Sequence, residues 1–147
     1  MNLFGTDGIR GKISEFLTPK LCYAVGKGLA ILASEDKVSD KRPKILLAGD
    51  TRTSTDFIKH ILAAGALAHG ANIVDAGILP TPAISTLANE FDFAVMVTAS
   101  HNPPEYNGIK IFDKYGNKLD DEKIKKLEYY IKNERDFGLQ TFDKMGE

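Results

Sequence analysis

The sequence predicts an α/β fold with three α/β/α layers around a mixed, largely parallel sheet. Residues 44–48 and 93–97 are short, nearly unbroken apolar runs, the pattern of strands buried on both faces of a parallel sheet. These runs alternate with segments whose apolar residues follow helical spacing, which indicates right-handed βαβ crossovers. The chain has 147 residues, 43% of them hydrophobic and 27% charged, so a single domain over residues 1–147 can bury a core without disulfides or metals.

Two helices are predicted in the first half of the chain. Thr18 and Pro19 suit the N-cap and first position of a helix, and the apolar face that follows is Leu21, Val25, Leu29 and Leu32. After the strand at 44–48, Thr53 with Asp56 three residues later resembles a capping box. A second helix is therefore predicted from this point to about His69.

Residues 72–78 are predicted to be a further strand or extended segment, which Pro80-Thr81-Pro82 ends. A short helix is predicted over residues 83–90, before the buried strand at 93–97.

The last third of the chain makes the predicted sheet mixed rather than purely parallel. Asn107-Gly108 is predicted to be a turn, followed by a strand at 109–112 and a second turn at 114–117, so this stretch resembles a hairpin. Asp120 or Asp121 is predicted to cap a final helix, whose apolar stripe is Ile124, Leu127 and Ile131.

Composition excludes several classes of function. Lys and Arg total 19 against 20 Asp and Glu, so the net charge of −1 argues against a nucleic-acid partner. The single cysteine, Cys22, excludes an intramolecular disulfide and a Cys-rich zinc site. The start of the sequence does not resemble a signal peptide, and no apolar run approaches the roughly 18 residues of a membrane span. We expect a cytoplasmic protein with no membrane partner.

Three polar segments are predicted at or near the carboxyl ends of strands, where open α/β sheets collect ligands. They are the glycine loop at 5–11, which contains Asp7 and Arg10, the loop at 49–52, and the loop at 100–102. Arginine, hydroxyl and free backbone N–H groups suit an anionic, phosphorylated substrate. For Asp50 and Arg52, a helix-capping loop with a surface ion pair is the favoured interpretation.

Acidic residues that could hold a metal ion are scarce. The only acidic cluster, at 120–122, is explained by the start of a helix. If Ser100 takes part in phosphoryl transfer, the carboxylates that hold its metal ion come from elsewhere.

Two segments carry specific motifs: Phe4-Gly5-Thr6-Asp7-Gly8-Ile9-Arg10-Gly11, and Thr98-Ala99-Ser100-His101-Asn102-Pro103 continuing into Asn107-Gly108-Ile109-Lys110. Together they closely resemble the first domain of the α-D-phosphohexomutases. The similarity covers essentially the whole chain, including the loop at 49–52 and the turn at 80–82. The N-terminal motif resembles that of the phosphoglucosamine mutases, whereas threonine at position 98 is more usual in phosphomannomutases and phosphoglucomutases.

The resemblance implies a role for each matching residue. Ser100 would carry a phosphate that it donates to a hexose monophosphate, and its phosphate oxygen would be one ligand of Mg²⁺. Arg10 would stabilise the transferring phosphate, and His101 and Lys110 would be the candidates for general acid and base. Thr6 and Asn102 would bind substrate.

The resemblance also implies an enzyme that interconverts hexose 6-phosphate and hexose 1-phosphate through a bisphosphorylated sugar, with glucosamine phosphate favoured. Three further domains of the parent enzyme would then be the partners of this chain. A stand-alone module that binds phosphosugars or other anions without catalysis remains the alternative. A nucleotide-binding domain is disfavoured, because the Gly26–Gly28 and Gly65–Gly70 segments lack the remaining residues of the nucleotide fingerprints.

Overall fold

The computed structural model describes residues 3–6, 8–35, 41–133 and 139–147. The strands are β1 (Ile9–Lys12), β2 (Lys44–Gly49), β3 (Asn72–Ile78), β4 (Phe93–Val97) and β5 (Tyr106–Asp113). The helices are α1 (Pro19–Glu35), α2 (Thr55–Ala68), α3 (Thr81–Leu87) and α4 (Asp121–Lys132), with short 3₁₀ turns at Ala88–Glu90 and Phe142–Lys144.

The five strands form one sheet in the order β1-β5-β4-β2-β3. β2 pairs in parallel with both β3 and β4, whereas β5 pairs antiparallel with β4 on one side and with β1 on the other. The sheet is therefore mixed, as predicted. The carboxyl ends of β2 and β4 lie side by side, because Gly49 is in register with Val97.

Helices cover both faces of the sheet, which confirms the three-layer prediction. Alternate residues of β2 separate the two sides, as expected for a pleated strand. Ile45 and Leu47 pack in the larger core with α1, α2 and α4, whereas Leu46 packs in a smaller core with Ile84 of α3. No helix within the described ranges is long and apolar enough to cross a membrane.

Two of the predicted helix starts are confirmed in atomic detail. The Thr18 hydroxyl accepts a hydrogen bond from the Leu21 N–H at 3.1 Å, just before α1. The Asp120 carboxylate accepts one from the Lys123 N–H at 2.8 Å and is the N-cap of α4.

The capping box at Thr53 is wrong. α2 begins at Thr55, and Ser54 occupies the N-cap position without making a side-chain capping bond. The hydroxyl groups at this turn have other partners: Thr55 donates to Asp50, and Ser54 accepts from Asn107. Tertiary contacts therefore replace the local cap.

The turn predicted at Asn107-Gly108 is also wrong, since both residues lie inside β5. Asn107 is fully buried, and its amide donates to the side-chain oxygens of Ser54 and Thr55. Gly108 is crowded between two strands, because a Cβ added there would lie 2.7 Å from the Thr98 carbonyl oxygen. The predicted strand at 109–112 extends in both directions, and its amino-terminal part pairs with β1, a strand that the sequence did not reveal.

Candidate active site

Ser100 lies in the loop at 98–105, which connects β4 to β5. Its φ is 53°, in the left-handed region that non-glycine residues rarely adopt. Such a conformation costs about 1–3 kcal/mol and persists only where the surrounding structure enforces it. Ser100 and His101 are both exposed, so the loop presents their side chains to solvent.

Arg52 enforces the shape of this loop. One terminal nitrogen of its guanidinium, Nη2, donates to the carbonyl oxygens of Ser100 at 2.9 Å and Asn102 at 2.7 Å. The other, Nη1, donates to those of Pro103 at 2.8 Å and Tyr106 at 3.1 Å. The Arg52 side chain thus connects the part of the loop that contains Ser100 to the part that leads into β5.

Asp50 stabilises the loop through contacts with Thr98 and Arg52. Its carboxylate accepts hydrogen bonds from the hydroxyls of Thr55 at 2.7 Å and Thr98 at 2.8 Å, and it lies 3.5 Å from Nε of Arg52. Partial burial of Asp50 opposes its ionisation and would raise its pKa. The two hydroxyl hydrogen bonds, a third hydrogen bond from the Arg52 N–H and the positive charge of Arg52 outweigh this effect, so the pKa of Asp50 is lowered below its ordinary value. The Thr98 hydroxyl also accepts a hydrogen bond from the Ser100 N–H at 3.2 Å. A chain of hydrogen bonds therefore connects Asp50 to Ser100.

Arg10 lies two strands away from β4, on β1, directly opposite Gly108. Opposed residues of an antiparallel pair share a face, and Lys110 lies two residues after Gly108 on the same face. Since Gly108 has no side chain, Arg10 can lie across it; a Cβ added at Gly108 would be 3.6 Å from that of Arg10. Nε of Arg10 is buried and has no hydrogen-bond partner among the residues that the structure describes.

A cavity of about 700 Å³ opens beside Lys110, between the glycine loop, β5 and α4. Thr6 and Lys110 line it, and the Thr6 carbonyl accepts a hydrogen bond from Nζ of Lys118 at 2.6 Å. Ser100, His101, Asn102 and Arg10 are not among its lining residues. Asp7 of the glycine loop lies outside the described residues.

The sequence model of the family described as phosphoglucomutase/phosphomannomutase, alpha/beta/alpha domain I, matches residues 1–137. The chain belongs to this family. A phosphoglucosamine mutase of Alkaliphilus oremlandii is 44% identical over 144 residues, and that of Caldanaerobacter subterraneus is 42% identical over 141. These alignments cover 97% and 95% of this chain but only 32% and 31% of the relatives, so the chain spans about a third of their length.

Solved structures support the same assignment. A phosphoglucomutase/phosphomannomutase family protein from Burkholderia thailandensis superposes with a TM-score of 0.77 at 26% identity. The superposition covers 99% of this chain and 32% of that protein. The family resemblance predicted from the two motifs is confirmed.

Within this phosphoglucomutase/phosphomannomutase domain, the structure places the predicted site residues in two groups. Ser100, His101 and Asn102 share the loop held by Arg52, whereas Thr6 and Lys110 face the cavity. Arg10 lies on the edge strand β1, which pairs with β5, so the strand that contains Lys110 separates it from β4.

The contribution of Arg52 was missed in the sequence. The expected ion pair with Asp50 is present, but the four hydrogen bonds to the serine loop were not anticipated. The available signal was the placement of both loops after apolar strands: β2 and β4 are parallel neighbours, so their following loops meet.

Proposed function

We propose that this chain is the phosphoserine-bearing first domain of a phosphohexomutase. The enzyme would interconvert hexose 6-phosphate and hexose 1-phosphate, with glucosamine phosphate as the favoured sugar because the relatives described above are phosphoglucosamine mutases. The observation that carries the proposal is the conformation of Ser100. An exposed serine that the Arg52 guanidinium and the Thr98 hydroxyl hold in a left-handed conformation is typical of a functional site.

Ser100 is the group that exchanges phosphate in this mechanism. The bond between its Oγ and phosphorus breaks as a hydroxyl oxygen of the hexose monophosphate forms a new bond to phosphorus, and the hydroxyl proton passes to a base. The resulting bisphosphorylated sugar reorients, and Oγ of Ser100 forms a bond to its other phosphorus. The bond from that phosphorus to the sugar oxygen breaks, and the sugar oxygen takes up the proton from the base. Positioning and charge stabilisation provide most of the catalysis in reactions of this class.

Arg10 is suited to stabilise the transferring phosphoryl group. Its planar guanidinium can bind two phosphate oxygens, and its buried Nε lacks a partner among the described residues. An unpartnered buried donor costs free energy unless a ligand accepts its hydrogen bond. Arg10 lies on β1, whose backbone is paired with β5.

Lys110 and His101 are the candidates for proton transfer, and Thr6 and Asn102 for substrate binding. Lys110 is half-buried at the wall of the cavity, where a bound sugar hydroxyl can reach its ammonium or amine nitrogen. His101 follows the proposed phosphoserine directly and is exposed. Asn102 lies in the same loop as Ser100, and its backbone carbonyl accepts a hydrogen bond from the same arginine.

Mg²⁺ is the cofactor in this proposal, with an oxygen of the Ser100 phosphate as one of its ligands. The described part of the chain contains no group of three His, Cys, Asp or Glu side chains that could hold a metal ion. The remaining ligands would come from outside this chain. When bound, Mg²⁺ would neutralise negative charge on the transferring phosphate.

Domain composition and location complete the proposal. Residues 1–137 match a single family domain, and the relatives are about three times longer than their matching part, which supports further domains as the partners of this one. Hexose phosphate is the proposed substrate, and the proposed location is the cytoplasm, without a nucleic-acid or membrane partner.

The experiment is phosphate mapping and turnover in the full-length protein. We expect fragment spectra to locate one phosphate, on Ser100, and Ser100→Ala to abolish turnover of glucosamine 6-phosphate in the presence of Mg²⁺. Ser85→Ala, which changes a half-buried serine on α3, is the matched control and should retain activity. Phosphate on another residue, or full activity in Ser100→Ala, would refute the assignment. Sugar phosphate binding without turnover would instead favour a non-catalytic module.

A further inference from the structure

Arg52 and Arg10 differ in the hydrogen bonding of their guanidinium groups. A guanidinium has five N–H groups. In Arg52 the four on the terminal nitrogens donate to loop carbonyls, and Nε faces the Asp50 carboxylate. Arg52 therefore has no N–H group left for a phosphate, whereas Nε of Arg10 has no hydrogen-bond partner among the described residues.

The carbonyls that Arg52 binds lie on both sides of the loop. Those of Ser100 and Asn102 belong to its first half, and those of Pro103 and Tyr106 lead into β5. A change in the backbone angles of Ser100 would rotate its carbonyl away from Nη2. The guanidinium thus opposes relaxation of Ser100 out of the left-handed conformation.

The arginine is itself held in place. Its side chain is only 15% exposed, and Asp50 fixes Nε while accepting the hydroxyl of Thr98. Asp50 therefore orients both groups that contact the serine segment: the guanidinium, which binds the Ser100 carbonyl, and the Thr98 hydroxyl, which binds the Ser100 N–H.

We propose that Arg52 is a positioning residue of the proposed reaction, which holds Ser100 in its left-handed conformation and so sets the rate of phosphoryl transfer without touching the substrate. This inference rests on the proposed function. Its structural part, that Arg52 maintains the loop, can be tested without any measurement of activity.

Replacement of Arg52 should affect kcat more than KM. Lysine keeps the charge but presents donors at one point, so it cannot bind four carbonyls arranged around a plane. A misplacement of about 1 Å at a reacting group can cost about 100-fold in rate. We expect Arg52→Lys and Arg52→Met to lower kcat on that scale and to raise KM by a smaller factor, since Asn102 shifts with the loop whereas Thr6 at the cavity stays in place.

Arg42 is the matched control. It also uses its guanidinium to bind carbonyl oxygens, those of Asp143, Lys144 and Met145. It precedes β2, whereas Arg52 follows it, so the two arginines lie at opposite ends of the same strand. Arg42→Met should leave kcat unchanged.

The test combines steady-state kinetics with amide hydrogen exchange on the full-length protein and its variants, together with melting temperatures. The N–H groups of Ser100, Asn102 and Tyr106 make hydrogen bonds within the loop and report on its order. We expect faster exchange in peptides covering 98–106 of Arg52→Met, and to a lesser degree of Arg52→Lys, with no change there in Arg42→Met. If Arg52→Met does not fold, the exchange rates and kcat of Arg52→Lys are compared with those of Arg42→Met instead.

Three results would overturn the inference: normal kcat in the Arg52 variants, reduced kcat with unchanged exchange in the loop, or an equal loss of kcat in Arg42→Met. Failure of the proposed function is a separate result. It would appear as full activity in Ser100→Ala, whereas the exchange data would still show whether Arg52 orders the loop.

Discussion

The carboxylate of Asp50 connects three parts of the candidate site. It joins the start of α2, the end of β4 and the guanidinium of Arg52 through its two oxygens. Its partners Thr55 and Arg52 are close in sequence, but Thr98 is 48 positions away. A local reading of residues 49–52 could therefore identify an ion pair and a polar loop, but not the connection to Ser100.

Because the folded protein lowers the pKa of Asp50, its ionised form stabilises the fold. This contribution is fully present above the unfolded-state pKa of about 3.9, and it is lost as pH falls through the lower folded-state value. We expect Asp50→Asn to reduce the free energy of unfolding more at pH 7 than at pH 3, as measured by urea denaturation. An equal reduction at both pH values would contradict the expected role of the charge.

At the scale of elements, periodicity and capping residues were sufficient for most of the fold. α1 and α4 begin where Thr18 and Asp120 predicted, and the buried runs at 44–48 and 93–97 are the two central parallel strands. β1 was not predicted because a short, glycine-rich edge strand has almost no local signal. Its structure depends on pairing with β5.

Asn107-Gly108 failed as a turn signal because the sheet imposes an extended conformation there. An Asn-Gly pair favours tight turns when it is solvated. Here Asn107 is buried against the start of α2, and Gly108 lies where the Ile9 and Thr98 carbonyls both approach. Long-range contacts that a local motif cannot encode decided its conformation.

Gly108→Ala tests this interpretation. The added Cβ would lie 2.7 Å from the Thr98 carbonyl oxygen and 3.0 Å from that of Ile9, so the backbone of β1 or β4 must shift. We expect a loss of about 1–3 kcal/mol in the free energy of unfolding, the usual scale of overpacking. Gly5→Ala is the control: among the described residues its Cβ would meet only the Gly8 carbonyl, at 3.8 Å, so stability should change by less than about 0.5 kcal/mol. Similar losses in both variants would show that the crowding at Gly108 is not the cause.

At the scale of the whole molecule, the sheet determines which candidate residues lie near one another. The loops that follow β2 and β4 meet, and β1 and β5 bring Arg10 and Lys110 onto one face. The described residues nevertheless contain no cluster of carboxylates for a metal ion, and the chain spans about a third of its relatives. Most of the fold could be predicted from the sequence because the helices and the two central strands bury apolar residues. The arrangement of the site could not, because it depends on contacts between distant loops.

We therefore expect the 147-residue chain by itself to fold but not to turn over sugar phosphates. Both hydrophobic cores are formed by residues of this chain, so a cooperative melting transition should be present. A coupled assay with Mg²⁺ and glucosamine 6-phosphate, mannose 1-phosphate or glucose 1-phosphate should show no product above background, because the described residues contain no carboxylate cluster for the metal ion and these 147 residues span about a third of the relatives. The full-length protein under the same conditions is the positive control. Turnover that depends on both Mg²⁺ and Ser100 in the 147-residue chain would show that this domain contains a complete active site.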